Sequence, residues 1–349
     1  MAAPTVVSSG ADNPFLDKVL YANTQYKSEI QKEYNSLVSQ GNAALAAKVE
    51  KLTNVSTGIW ISSNALVPTI STHLQEALNV QKQTGKEQIV LLVIYDLPEK
   101  CCASSGPHGE FSYANGGEAK YQGFIKDIAA QLQLFPDVKV AIILEPNSIN
   151  DTVRNLSTPL CANVASGHKK GLAFAISVLG ALSNVNMYLC IPDSGFLLWP
   201  ANILPAAMYI GDIYTAAKNL NPNATTRGVA TDVGGYSTLD QEVKYHAIFA
   251  PYLTAVGYPA HFVVDQGRSG RNVTVGSDKC VQGAGLGPRP TSSTANPLLD
   301  AILWVQPPGE TDGNSTRCEL YGSNPTNIGT GFWDSRAFRS LVTLANPPL

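Results

Sequence analysis

Residues 89–97 read IVLLVIYDL, a continuous apolar run that ends in an acidic residue just before Pro98. A strand with apolar side chains on both faces is typical of a parallel sheet that is buried under helices. Six further runs of this character occur, at residues 58–63, 138–146, 186–193, 227–233, 260–267 and 301–308. The sequence therefore predicts seven parallel strands.

Helical patterns separate most of these strands, at residues 71–83, 119–135, 167–182, 205–220 and 239–257. Strands that alternate with amphipathic helices form a parallel sheet with helices on its outer face. Seven such strands favour a closed or nearly closed β/α barrel, with an open doubly wound sheet as the alternative. In both folds ligands bind beyond the C-terminal ends of the strands. We expect residues 1–349 to form one domain, with residues 1–13 as a flexible N-terminus.

Charge and composition exclude several partners. The net charge is -3 and charged residues make up 15% of the chain, so there is no basic excess for nucleic acid or an anionic membrane surface. No apolar run approaches the ~18 residues of a membrane-spanning helix. No dinucleotide-binding glycine pattern, P-loop or metal-ligand spacing follows a strand. We therefore expect no cofactor and no metal, and a small molecule or an oligosaccharide as the partner.

Cysteines and glycosylation sequons indicate the secretory route. The chain has six cysteines without metal-ligand spacing, an even number that is typical of disulfides. The first residues lack the basic and apolar regions of a signal peptide, which is therefore absent or removed. A cytosolic protein with six free thiols is the alternative to a secreted or secretory-pathway protein. The N-x-S/T sequons begin at Asn54, Asn150, Asn155, Asn223, Asn272 and Asn314.

Five segments resemble the signature segments of glycoside hydrolase family 6, the inverting cellobiohydrolases and endoglucanases. In order they are YDLPEKCCASSGPHGEFS (95–112), ILEPNSI (143–149), LLWPANI (197–203), VVDQGRSGR (263–271) and WVQPPGETDG (304–313). The resemblance covers residues 60–347. It implies a distorted seven-stranded parallel β/α barrel whose loops cover a substrate tunnel. It also implies disulfides Cys102 to Cys161 and Cys280 to Cys318.

Three acidic positions of the family pattern carry other residues in this chain. Where the third strand of the hydrolases ends in Glu-Pro-Asp and the aspartate is the general acid, this chain has Asn147. The aspartate before the first disulfide cysteine is replaced by Cys101. The aspartate of the fourth strand is replaced by Cys190.

The sugar-binding positions of the pattern also differ. In the segment LCIPDSGF (189–196), Asp193 stands for a histidine and Phe196 for a sugar-stacking tryptophan. Lys279 replaces a tryptophan platform, and Gln306 replaces a sugar-binding lysine. Glu310 and Asp312 match the family pattern.

Inverting hydrolysis requires one protonated carboxyl group and one carboxylate. An amide at position 147 cannot donate the proton, and loss of general acid catalysis costs roughly 10² to 10⁴ in rate. We therefore favour a recruited, non-hydrolytic enzyme that orients a small, partly apolar natural product for dehydration or hetero-Diels-Alder cycloaddition, and we suspect a relationship to such fungal biosynthetic enzymes. A carbohydrate-binding pseudoenzyme is the second interpretation. The third is a rewired β-glucan hydrolase that uses Asp193 or Asp312 as its acid.

Each candidate site residue has a structural alternative. Core packing is the alternative for Trp60 and Trp199, and an ion pair with Asp265 for Arg268. The candidate catalytic residues are Asn147, Asp312, Asp193 and Tyr95. The candidate substrate-binding residues are Trp60, Trp199, Phe196, Lys279, His108, Gln306, Glu310 and Arg268.

The two remaining cysteines, Cys101 and Cys190, fall at former acidic positions that face the same part of the implied tunnel. We expect a third disulfide between them. A reactive thiolate at Cys101 and two unrelated buried thiols are the alternatives.

Overall fold

The computed structural model describes residues 12–103, 108–273, 281, 283–311 and 331–349. Its strands are all parallel and belong to one sheet. They are β1 (Val19–Leu20), β2 (Ile59–Ile61), β3 (Gln88–Ile94), β4 (Lys139–Leu144), β5 (Val185–Cys190), β6 (Gly228–Thr231), β7 (His261–Asp265) and β8 (Leu299–Leu303).

The sheet follows the chain, in the order β1-β3-β4-β5-β6-β7-β8, and β2 pairs with the second half of β3. All seven strands expected from the sequence are present, and β1 adds a two-residue strand beside the start of β3. The strands form for the expected reason: every residue of β3 and β8 is buried.

The sheet curls into a distorted, incompletely closed barrel, as the sequence predicts. Alternate residues of β3 to β8 meet in one interior apolar cluster, which includes Leu91, Ile143, Tyr188 and Val263. Residues on opposite strands reach each other only when the sheet is curved, so the open doubly wound alternative is wrong. The N–H of Gly58, just before β2, donates to the carbonyl oxygen of Trp304, just after β8, and bridges the gap at the C-terminal end.

Helices cover the outer face. They are α1 (Thr24–Ser39), α2 (Ala43–Glu50), α3 (Thr69–Thr84), α4 (Gly117–Gln133), α5 (Ser148–Arg154), α6 (Pro159–Leu179), α7 (Ser194–Leu197), α8 (Pro200–Leu220), α9 (Leu239–Ala255) and α10 (Ser335–Thr343). The five expected helices correspond to α3, α4, α6, α8 and α9. The largest apolar cluster lies between these helices and the sheet.

Two expected helix starts are wrong, because α6 begins at Pro159 and α8 at Pro200, in segments without clear apolar spacing. Pro at the first position of a helix loses no hydrogen bond and has a suitable φ angle. The expected flexible N-terminus, residues 1–13, falls outside the described residues except for its last two. None of the described helices is long and apolar enough to cross a membrane.

Candidate active site

The C-terminal ends of the strands carry an unusual group of left-handed residues. Glu145 and Asn147, after β4, have φ angles of 47° and 68°, and Asp232, after β6, has a φ angle of 57°. In the loop after β3, Glu99 and Cys101 have φ angles of 50° and 57°. Non-glycine residues rarely adopt this conformation, which costs free energy and is concentrated at functional sites. The backbone therefore marks the same edge of the sheet that the sequence predicts as the site.

Asn147 lies at the centre of this edge. Its side chain is exposed and makes no capping bond to α5, although it is the N-cap residue. The amide nitrogen Nδ2 lies instead 3.9 Å from Sγ of Cys101, and that sulfur lies 2.6 Å from the hydroxyl oxygen of Tyr95. The ring of Tyr95 packs edge-on against Trp60, with ring centroids 5.4 Å apart. Four predicted site residues are thus brought together.

Beneath them, Glu145 is completely buried and fully hydrogen bonded. Its carboxylate accepts hydrogen bonds from the backbone N–H groups of Asp96 and Leu97, both at 3.1 Å, and from the hydroxyl of Tyr121 at 2.9 Å. Burial raises the pKa of Glu145 to about 7, although Lys100 and these donors act in the opposite direction. Glu145 joins the ends of β3 and β4 and holds the turn that carries Asn147.

Lys100 brings a positive charge to the centre of the site. Its Nζ lies 3.2 Å from Oδ1 of Asp96 and 4.2 Å from the ring centroid of Tyr95. It also donates to the carbonyl oxygens of Ser62 and Tyr95. Burial raises the pKa of Asp96 to about 7 despite this lysine. The sequence shows Lys100 next to the cysteines but gives no sign that it turns inward.

The segment after β5 brings a carboxyl group to the next position along the edge. Asp193 is partly exposed, and its Oδ1 accepts a hydrogen bond from the N–H of Gly195 at 2.7 Å. Burial raises the pKa of Asp193. The neighbouring N–H of Ser194 donates to Oε1 of Glu242, a fully buried residue of α9, at 2.8 Å. Glu242 holds this segment, and sequence reasoning missed it because a glutamate on a helix carries no distinguishing pattern.

Two aromatic residues follow in the same segment. The guanidinium of Arg154 lies 4.1 Å from the ring centroid of Phe196, which restricts how freely that face can receive a ligand. Trp199 is 65% exposed, so core packing does not explain it. Trp60, in contrast, is half buried, and its Nε1 donates to the carbonyl oxygen of Val305.

Asp265 holds together the chain segments that follow β6, β7 and β8. Its carboxylate accepts four backbone N–H bonds, from Gly234, Gly267, Val305 and Gln306, at 2.9 to 3.1 Å. These bonds tie the end of β7 to the loop after β6 and to the end of β8. This arrangement gives Asp265 a structural role. Burial raises the pKa of Asp265, whereas these donors and the positive charge of Arg268 act in the opposite direction.

The neighbouring candidates lie along the same side. Arg268 donates to the carbonyl oxygen of Gly234 and lies over the ring of Tyr236 at 4.7 Å. Gln306 is 7% exposed. Burial raises the pKa of Glu310 to about 7.

Among the described cysteines, one expected disulfide is present and another is not. Cys102 and Cys161 form a disulfide, with Sγ atoms 2.01 Å apart, which confirms the implied pair. Cys101 and Cys190 are both free, so the expected third disulfide is wrong in this structure. The sulfur of Cys101 is turned to Tyr95, and Cys190 is buried in the barrel interior. Burial raises the pKa of both thiols, to about 12 for Cys190, which argues against a reactive thiolate.

Several expected residues lie outside the described part of the chain. They are Lys279, Asp312 and the implied disulfide partners Cys280 and Cys318. His108 is described and partly buried, and it lies close enough to Asp151 to oppose the rise in the pKa of that carboxyl to about 6.

A metal ion has one candidate group among the residues that the structure describes, namely Cys102, Asp151 and Cys161. The two cysteines are bonded to each other, so only the carboxylate of Asp151 remains as a ligand. This group does not suit a metal.

Comparisons with known proteins agree over almost the whole chain. The family model for glycosyl hydrolases family 6 matches residues 15–345. Exoglucanase 3 of Agaricus bisporus is 37% identical, over 98% of this chain and 81% of that protein. The crystal structure of CcCel6C, a glycoside hydrolase family 6 enzyme from Coprinopsis cinerea, has a TM-score of 0.90 at 31% identity and covers 97% of this chain and 99% of its own. Cellobiohydrolase II (Cel6A) of Humicola insolens, in complex with glucose and cellotetraose, has a TM-score of 0.88 at 33% identity over 97% of this chain and 100% of its own.

These matches overturn the interpretation that we favoured from the sequence. Relatives over the full length are named exoglucanase and cellobiohydrolase, so a recruited enzyme for dehydration or cycloaddition is wrong, and a biosynthetic relationship has no support. A few side chains at the strand ends differ, whereas the similarity extends over the whole barrel.

Proposed function

Because this chain belongs to glycosyl hydrolases family 6, we propose that it binds β-1,4-linked glucose chains at the C-terminal edge of the sheet and hydrolyses the bond between two sugars. One observation carries the proposal. The Humicola insolens cellobiohydrolase II, whose structure holds glucose and cellotetraose, aligns with 97% of this chain at a TM-score of 0.88. Trp199, exposed beside this edge, offers an aromatic face of the kind that sugars stack on.

We assign the general acid to Asp193. Asn147 cannot donate a proton to the leaving oxygen near neutral pH. Asp96 and Glu145 have raised pKa values, but both are 0% exposed, so a sugar does not reach them. Asp193 is partly exposed, and burial raises its pKa, which favours the protonated form that a general acid needs.

The position of Asp193 also suits the role. It follows β5, the neighbour of the strand that carries Asn147. The N–H of Gly195 fixes one carboxyl oxygen, which leaves a defined orientation for the group. For the general base we propose Asp312, from its place in the segment WVQPPGETDG; this residue lies outside the described part of the chain.

The test is hydrolysis of cellotetraose, followed by chromatography of the products and by proton NMR of the first anomer released. We expect slow turnover with inversion of configuration. Asp193→Asn should lower kcat by roughly 10² to 10⁴ with little change in KM. Asparagine is as good an N-cap as aspartate, so α7 should keep its start. Asp240→Asn is the matched control, because Asp240 is exposed on α9 and pairs with the exposed Lys244.

Each outcome decides a different part of the proposal. Failure to bind cellotetraose would reject it entirely. Binding without any product would reject hydrolysis and leave a sugar-binding protein. Turnover that is equal in the wild type and in Asp193→Asn would reject the assignment of the acid.

We also propose that the protein is secreted. The disulfide between Cys102 and Cys161 is typical of oxidising compartments, and the sequons would be glycosylated there. Intact-mass measurement of protein from the culture medium should show the added glycans. Protein confined to cell extracts would contradict this location.

A further inference from the structure

A pocket lies away from the candidate active site, at the place where the sheet does not close. We call it the seam pocket; its volume is about 700 Å³. One wall comes from β1, a second from the end of α2 and the chain leading to β2, and a third from the chain that bridges the free edge of β8 at Thr291.

The seam pocket is distinct from the edge that carries Asn147. Leu20 pairs with Ile89, five residues before Ile94 at the end of β3. At about 3.3 Å per residue, this separates the two places by roughly 16 Å along the strand. A ligand in the seam pocket would therefore leave the candidate active site open.

Positive charge dominates the lining. Lys18, Lys51 and Arg289 line the pocket together with one acidic residue, Glu50, although the whole chain has a net charge of -3. The side chain of Lys18 is 18% exposed and pairs with Glu87 at 3.7 Å. The exposed side chains of Lys51 and Arg289 are therefore the cations that attract an anion to the pocket.

The remaining lining is rich in groups that bind hydroxyls. Thr291 and Ser292 contribute two hydroxyl groups. Ser56 is 3% exposed, and its hydroxyl has no hydrogen-bond partner among the described residues. Buried polar groups are normally paired, so this hydroxyl is a partner that a ligand can satisfy.

We propose that the seam pocket binds an acidic oligosaccharide, a short chain of sugars that carry carboxylates. The volume falls in the range of small-molecule sites and exceeds what a bare inorganic anion requires. The cations recognise the carboxylates, and the hydroxyl groups of the lining recognise the sugar hydroxyls. The ligand differs in charge from the neutral glucan chain that we propose for the active site.

Isothermal titration calorimetry at low salt tests this proposal, on the secreted protein and on protein produced without N-glycans. We expect both forms to bind, and binding by the form without N-glycans alone would reject the site in the secreted protein. The probe is trigalacturonate, and its fully methyl-esterified form is the matched neutral probe. We expect trigalacturonate to bind at least roughly tenfold more tightly than the ester, and the affinity to fall with added salt. Equal affinity for both probes, or no binding of trigalacturonate, would overturn the proposal.

Variants locate the site. The double change Lys51→Met and Arg289→Gln alters two exposed side chains, so the fold should be retained, and we expect at least roughly tenfold weaker binding of trigalacturonate. Glu50→Gln should tighten binding. Lys244→Met on α9 is the control with an exposed lysine elsewhere, and it should change nothing. An equal loss in Lys244→Met, or inorganic phosphate that binds as tightly as trigalacturonate, would reject an acidic-sugar site.

Discussion

The change Asp265→Asn tests whether this residue holds the site together or takes part in its chemistry. Each carboxylate oxygen of Asp265 accepts two backbone N–H bonds: Oδ1 from Gly267 and Val305, and Oδ2 from Gly234 and Gln306. An asparagine keeps one oxygen and places an NH₂ group against the other two donors. Two hydrogen bonds to a charged acceptor are lost, and two backbone N–H groups near the strand ends lose their partner.

The expected cost follows from these contacts. Hydrogen bonds to a charged group contribute about 1.5 to 3 kcal/mol each, so two lost bonds cost about 3 to 6 kcal/mol. Removal of a buried charge offsets part of this cost. We expect a net loss of about 3 to 5 kcal/mol, a large share of the 5 to 15 kcal/mol that is typical of folded proteins.

Urea unfolding, followed by circular dichroism, measures this loss. Asp212→Asn is the control, because Asp212 is 64% exposed and pairs with Lys169 on the surface. That change should cost less than about 1 kcal/mol. A loss below about 1 kcal/mol for Asp265→Asn would refute the structural role, and lost turnover with unchanged stability would assign Asp265 to catalysis.

Three other experiments probe the strand ends directly, two with substitutions and one with alkylation. Asn147→Asp should raise the rate of cellotetraose hydrolysis by roughly 10² or more, because it adds a titratable, exposed group at the centre of the candidate site, where it can act as a second general acid beside Asp193; an unchanged rate would show that position 147 has no part in the reaction. Cys101 and Cys190 should both react slowly with iodoacetamide at pH 8, with Cys190 the slower, because burial raises the pKa of both thiols. Mass spectrometry of the unfolded, unreduced protein should find both alkylated, and a peptide that links them would contradict the structure. Burial raises the pKa of Glu145 from 4.5 to about 7, so its stabilising contribution is complete below about pH 4.5 and is lost as the pH rises through 7. Glu145→Gln should remove about 3 kcal/mol from the pH dependence of the unfolding free energy, measured with urea. A pH profile that Glu145→Gln leaves unchanged would show that the pKa of Glu145 is not raised.

The strands could be predicted because burial on both faces leaves a direct trace in the sequence, as residues 89–97 show for β3. Helix α1 left no such trace, since it is mostly polar and contains a buried acid, Glu33. Arg339 and Trp333 pair with Glu33 from the other end of the chain. A contact between residues 300 positions apart cannot be found from local spacing.

That residues from different strand ends lie close together was predictable for a similar reason, because parallel strands end at one edge of the sheet. Tyr95, Cys101 and Asn147 do meet there. The state of the individual groups was not predictable. Whether Cys101 bonds to a second sulfur or to Tyr95, and whether Glu242 turns inward to hold Ser194, depends on packing that the sequence does not show.

The backbone at these strand ends would accommodate either an amide or an acid at position 147 without loss of the fold. Asn147 occupies the left-handed region, with a φ angle of 68°, and asparagine and aspartate are among the side chains that tolerate it best. The turn after β4 is also held from below by Glu145 and does not depend on the side chain at position 147. An amide and an acid are therefore interchangeable for the fold but not for the chemistry.

Cys101 differs, because cysteine gains nothing from its φ angle of 57°, whereas aspartate at this position would relieve strain. We therefore expect Asn147→Asp to leave the unfolding free energy nearly unchanged and Cys101→Asp to preserve or raise it, so that the combined variant tests catalysis on an intact scaffold.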